Sequence, residues 1–182
     1  MRMRIAIAGA ALALAVSSFA QQGTGAQPAQ PGAQPAPQGA EPMTGARGEA
    51  KATVAGKPVS IDYGRPSLRG RDMLAQAQVG QAWRMGMNAA TTLKTDADLD
   101  FGGKAVPKGE YVLTATKVDA NGWMLNVLAK ADRSKVADVP LTVEKLPQSV
   151  EQFTIDLTGS GNTGDLKLTW GTTALHTAFT AK

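Results

Sequence analysis

Tyr111-Val112-Leu113-Thr114-Ala115-Thr116, then Asp119-Ala120-Asn121-Gly122, then Trp123-Met124-Leu125-Asn126-Val127: this stretch decides the fold class. Tyr111, Leu113 and Ala115 alternate with Val112, Thr114 and Thr116, and Trp123, Leu125 and Val127 resume the same period of two. Such alternation is the signature of a strand with one buried face. The four residues between the runs read as a hairpin turn, because Asn and Gly tolerate positive φ.

Working outward, the same pattern recurs on both sides. Val59, Ile61 and Tyr63 alternate with Ser60 and Asp62. Phe153, Ile155 and Leu157 share one face, as do Leu166, Leu168 and Trp170, and then Leu175, Thr177 and Phe179. Glycines follow these runs at Gly102-Gly103, from Gly159 to Gly164, and at Gly171. Short strands separated by Gly-rich turns predict an all-β fold, an antiparallel β-sandwich or flattened barrel. One short helix is expected at Asp72–Gln78, with a weaker candidate near Asp132–Val136.

The residues before this domain have a different character. Arg2 and Arg4 precede an apolar run from Ile5 to Val16, and Ser18-Phe19-Ala20 provides a small-x-small cleavage site. Twelve apolar residues rise about 18 Å as a helix, short of a roughly 30 Å hydrocarbon core. Residues 1–20 therefore predict a cleaved signal peptide rather than an anchor. Residues 21–46 are Gln, Pro, Gly and Ala apart from Thr24, Glu41, Met43 and Thr44. That composition predicts a disordered linker with polyproline II character. The β domain is expected over 47–182, which is enough chain to fold alone.

There is no cysteine in the 182 residues, so neither a disulfide framework nor an acylated cysteine is available. An exported protein, periplasmic or secreted and soluble after cleavage, is the expectation, with no membrane span in the mature chain. Without Arg2 and Arg4 the balance is 17 basic to 15 acidic residues. That balance gives no reason to expect nucleic acid as a partner.

Candidate functional residues concentrate between Tyr63 and Thr91. Arg65, Arg69, Arg71 and Arg84 face a single acid there, Asp72. Arg65, Arg71 and Arg84 are candidates for a cationic pocket, since guanidinium forks bind carboxylate, phosphate or sulfate bidentately. Tyr63 or Trp83 would supply a stacking platform, with Asn88 and Thr91 giving directional hydrogen bonds. The expected partner is an anionic small molecule or a glycan. In the competing reading the same arginines brace the loop by bonding backbone carbonyls.

Other chemistry is sparsely supplied. His176 is the single histidine, so no Ser-His-Asp set and no zinc site of ordinary composition can be assembled. No cofactor and no metal are expected. Asp96, Asp98 and Asp100 would share one strand face, where calcium is conceivable, but they lack the Gly and terminal Glu of an EF-hand loop. Glu151 and Asp156 are carboxylates that a glycoside hydrolase could use.

The block also resembles a known family, the bacterial domain-of-unknown-function 2911 family. The resemblance rests on Tyr63-Gly64-Arg65-Pro66, Gly70-Arg71, Trp83 to Thr91, and Pro107-Lys108-Gly109-Glu110-Tyr111. Val150 to Asp156 and Leu168-Thr169-Trp170 extend it over about 47 to 180. It implies an exported or envelope β domain and brings no catalytic mechanism. The family pattern commonly reads Asn-Glu-Ala-Thr where this chain has Asn88-Ala89-Ala90-Thr91, so a carboxylate is missing. The functional expectation is a non-catalytic binding or envelope-associated module. The alternatives are a carboxylate-dependent hydrolase and a purely structural domain.

Overall fold

A computed structural model describes residues 46–182 of the chain. The expected signal peptide at 1–20 and all but the last residue of the linker lie outside the described residues. Ten strands run in sequence: β1 (Arg47–Val54), β2 (Lys57–Gly64), β3 (Ala82–Trp83), β4 (Thr91–Thr95), β5 (Leu99–Asp100), β6 (Ala105–Val106), β7 (Gly109–Lys117), β8 (Trp123–Ala129), β9 (Lys135–Ser160) and β10 (Thr163–Ala181). All pair antiparallel, in the order β1-β2-β4-β7-β8-β9-β10-β5-β6, with β3 added on β7.

Two long strands turn one sheet into two layers. The first half of β9 pairs with β8, from Leu141 opposite Trp123 to Ala137 opposite Val127. Its second half pairs with β10, from Thr154 opposite Thr169 to Ser160 opposite Thr163. Between them the register slips at Thr169, Gly171 and Thr173, and such bulges bend the strands sharply. The β9–β10 pair thereby carries the chain over into a second layer completed by β5 and β6. The expected sandwich is found, and its sheet does not close into a barrel.

The core lies between the layers and is made of the predicted inward faces. Val59, Ile61 and Tyr63 from β2, Leu113 and Ala115 from β7, and Leu125 and Val127 from β8 are all buried. They meet Phe153, Ile155 and Leu157 of β9 and Leu166, Leu168 and Trp170 of β10. The void among these side chains measures about 10 Å³, room for no more than a water. The interior is therefore no ligand cavity, and any contact site must sit on the surface.

Three local expectations differ from what is found. No helix occurs among the described residues. Asp72–Gln78 forms a single turn, with Gln76 N–H donating to Asp72 O and Ala75 N–H to the Asp72 carboxylate. Seven residues offer too few bonds to offset helix nucleation, and Gly80 N–H must leave to bond Lys117 O. Asp132–Val136 is instead a turn, Asp132 capping Ser134 N–H, that runs into β9 at Lys135. In the 118–122 turn, neither Asn121 nor Gly122 takes positive φ. Asp119 shapes that turn by accepting from Asn121 N–H, and Val118 N–H closes it on Gly122 O.

The aspartates at 96, 98 and 100 do not form a ligand row. Asp98 accepts from Lys108 N–H and Asp100 from Gly103 N–H, so two of the three carboxylates brace loops.

Candidate functional site

The Tyr63–Thr91 block folds as three pieces around one end of the sandwich. The first is the seam between β1–β2 and the second half of β9. No backbone ladder joins β1 to β9 there, and side chains take its place. Tyr63, 3% exposed, donates its hydroxyl to Ile155 O at 3.2 Å and sets its ring edge-on to Phe153. Arg65 Nε donates to Phe153 O at 3.3 Å, and its Nη2 to Thr154 Oγ1 at 3.1 Å. Backbone bonds from Phe153 N–H to Pro66 O and from Leu68 N–H to Glu151 O finish the closure.

Gly48 is what lets these side chains cross. It sits opposite Tyr63 in the β1–β2 register, and a Cβ there would lie 2.6 Å from Arg65 Cδ and 2.7 Å from Tyr63 Cζ. Any side chain at 48 would push both groups off their carbonyls.

The second piece is the loop from Arg84 to Ala90, which folds down onto β2. Thr91, fully buried, donates Oγ1–H to Met85 O at 2.6 Å. Met85 is itself fully buried at φ +54, and Asn88 stands at φ +61. Arg84 Nη1 donates to Asn88 O at 3.1 Å and ties the loop to itself. The Met87 backbone lies so close over Gly64 that a Cβ there would collide with the Met87 carbonyl.

The third piece carries the open surface. Trp83 on β3 is partly buried and stacks on Trp170, ring centroids 5.8 Å apart and planes within 17°. Phe153 and Trp123 meet it edge-on at 5.1 and 6.4 Å. Trp170 directs its indole N–H to Glu151 O. The Trp83 indole N–H bonds no described residue, and it is not sealed from solvent. Beside this ring lies a groove of about 300 Å³. Met73, Leu74 and Ala77 line it together with Gln76, Gln78 and Gln81. Arg71 is exposed two residues before Met73, and its guanidinium pairs with no described residue.

Of the seven predicted residues, then, Tyr63, Arg65 and Thr91 are placed in bracing contacts, and Arg84 and Asn88 share one. Trp83 and Arg71 remain presented to solvent. The three arginines are directed to different partners. Gln76 and Gln78 were missed because they fall in the segment read as a helix, and Gln81 because an amide just beyond it carries no signal of its own.

Positive φ at non-glycine residues is also concentrated here. Ala55 and Arg133 adopt it in hairpin turns, whereas Arg69, Met85 and Asn88 adopt it within the block. Each costs on the order of 1 kcal/mol, which surrounding contacts must offset.

Charge around the site is ordinary. Every carboxylate with a shifted pKa is shifted downward: Glu110 by its bond to Lys130, Asp138 by Lys135 and Asn126, Glu144 by Lys167, and Asp132 by the Ser134 backbone. Burial, with Asp98 nearby, raises the Tyr111 hydroxyl, which donates to Pro107 O. Among the described residues no group of three or more His, Cys, Asp or Glu converges as metal ligands would.

The family described as "Protein of unknown function (DUF2911)" matches this chain over residues 46–179. The chain belongs to that family. No curated protein and no solved structure matches it. The DUF2911 match spans β1 to nearly the end of β10, and so includes the seam, the loop and the groove together. Within this DUF2911 domain Ala89 is exposed in the Arg84–Ala90 loop.

Proposed function

We propose that this protein is an extracytoplasmic, non-catalytic binding module whose contact site is the Trp83 groove and whose ligand is a glycan. The observation that carries the reading is Trp83 itself. A partly exposed indole, stacked on Trp170 and sharing a groove with three glutamines, matches the needs of a sugar ring. The apolar face of the ring stacks on the indole, while hydroxyls at its edge exchange hydrogen bonds with amides and with the indole N–H. A volume of about 300 Å³ is the small end of the range for ligand sites, enough for one or two sugar units.

Arg71, exposed two residues before the groove-lining Met73, is the cation that would favour an acidic substituent on the glycan. Arg65 and Arg84 act in this account as braces, because their donors already serve Phe153 O, Thr154 Oγ1 and Asn88 O. The strained backbone at Arg69, Met85 and Asn88 supports a functional reading of the same end of the molecule. Export rests on the Arg2-to-Ala20 pattern.

A hydrolase finds no comparable support. A general acid needs a carboxyl at the reacting bond, and no Asp or Glu is among the residues lining the Trp83 groove. Calorimetric titration against neutral and uronate-containing oligosaccharides tests the proposal. Binding that Gln78→Ala and Trp83→Phe weaken supports it, and uniform absence of binding contradicts it.

A further inference from the structure

Three of the four large hydrophobic side chains that the fold leaves exposed lie on adjoining turns. Among the described residues the four are Met73, Val79, Val118 and Val143, at 44, 61, 44 and 39%. The first three lie together. Gly80 N–H donates to Lys117 O at 2.8 Å, which sets the turn bearing Val79 beside the turn bearing Val118. Met73 borders the same groove as Gln78, the residue before Val79. Isolated exposed aliphatics need no explanation, but a contiguous set on adjoining turns does.

The charge around these turns is one-sided. Segments 69–84 and 117–122 hold Arg69, Arg71, Arg84 and Lys117 against Asp72 and Asp119. Asp72 accepts from Ala75 N–H and Thr172 Oγ1, and Asp119, exposed beside Val118, accepts from Asn121 N–H, so these segments keep an excess of cations over acids. No ion pair among the described residues neutralises the Arg71 or Lys117 cations. Valines on convex turn tips with cations beside them suit a flat, soft, negative surface.

We propose that the end of the sandwich bearing Val79 and Val118 docks reversibly on an anionic lipid surface. The valines enter the headgroup region, and Arg71 and Lys117 meet lipid phosphates, each such cation strengthening partition by roughly fivefold. Contact of this kind is peripheral. No helix among the described residues is long and apolar enough to cross a membrane. The proposal shares Arg71 and Met73 with the glycan reading, but it rests on Val79, Val118 and Lys117, which that reading does not use, and survives its failure.

The test is co-sedimentation of the full chain with vesicles of phosphatidylcholine alone or with added phosphatidylglycerol. Four forms are compared: the unaltered chain, V79S/V118S, R71A/K117A, and V143S as an exposed-valine control on β9. The three substituted valines and Arg71 are exposed and Lys117 is partly buried, and a melting curve for each form checks that it folds. The expected result is partition onto phosphatidylglycerol vesicles that V79S/V118S lowers by about tenfold, that R71A/K117A lowers by about 25-fold, and that V143S leaves unchanged. Absence of partition, equal partition onto neutral vesicles, or equal loss in V143S overturns the proposal. So does concentration-dependent self-association that V79S/V118S abolishes, which would assign these turns to a second copy of the chain.

Discussion

Tyr63 reaches across the seam of the sandwich and donates its hydroxyl to the carbonyl of Ile155, 92 residues further along the chain. This contact stands where a β1–β9 ladder would be. The phenol is buried and its acceptor is a strand carbonyl with no ladder partner, so the bond closes a layer boundary. Tyr63→Phe should therefore lower stability by about 1 kcal/mol, the net worth of one such bond. Urea unfolding followed by circular dichroism measures it. An unchanged midpoint would show that the seam is held without Tyr63.

The arginines should separate by role. Arg65→Ala removes two donors from Phe153 O and Thr154 Oγ1, and a loss of about 1–3 kcal/mol is expected. Arg71→Ala touches no described partner and should stay within about 0.5 kcal/mol of the parent. Equal losses for both would remove Arg71 from the candidate contact surface.

The loop over β2 depends on two residues that do not touch solvent. Gly64→Ala would drive a methyl into the Met87 carbonyl and should prevent the Arg84–Ala90 loop from seating. Thr91→Val deletes the bond to Met85 O and should cost about 1–3 kcal/mol, since a buried carbonyl loses its donor. Amide hydrogen exchange localises the effect. Faster exchange confined to residues 84–90 is expected for Thr91→Val, and a uniform increase would contradict it.

Asp138 ties three strands on the outer face. It accepts from Asn126 Nδ2 at 2.9 Å and from Lys135 Nζ at 2.8 Å, and Asn126 in turn accepts from Thr116 Oγ1. The Lys135 bond, then the Asn126 bond, hold its carboxyl below the ordinary aspartate value. A group whose folded pKa is lowered contributes stability above its unfolded pKa, near 4, and loses it as pH falls through the folded value. The unfolding midpoint should thus fall on acidification below about pH 4, and Asp138→Asn should flatten part of that slope. An identical acid limb in the variant would exclude Asp138 as a contributor.

How much of this was legible in the residues depends on the range of the interactions. The Tyr111–Val127 hairpin was readable because alternation and turn chemistry are both local. β9 was readable only in pieces: Pro140, Pro147 and the polar run from Thr142 to Lys145 break its period, although its backbone continues through all 26 residues. Asp72–Gln78 misled because helix propensity there is real but short, and pairing of Gly80 with Lys117 outweighs it. At the site, Trp83 stood out by residue type. The burial of Tyr63 and Arg65 did not, because their partners are about 90 positions away. Gln76, Gln78 and Gln81 carried no mark until the turn brought them beside one ring.

The glycan-binding account comes down to Trp83, and the three tryptophans give a direct test. In a nitrogen-labelled sample the indole N–H groups of Trp83, Trp123 and Trp170 should give three separate resonances, assignable by single Trp→Phe variants. Titration with the oligosaccharide that binds best should shift the Trp83 indole signal most and leave Trp170, bonded to Glu151 O, nearly still. A ligand that binds while the Trp83 signal stays in place would contradict the account.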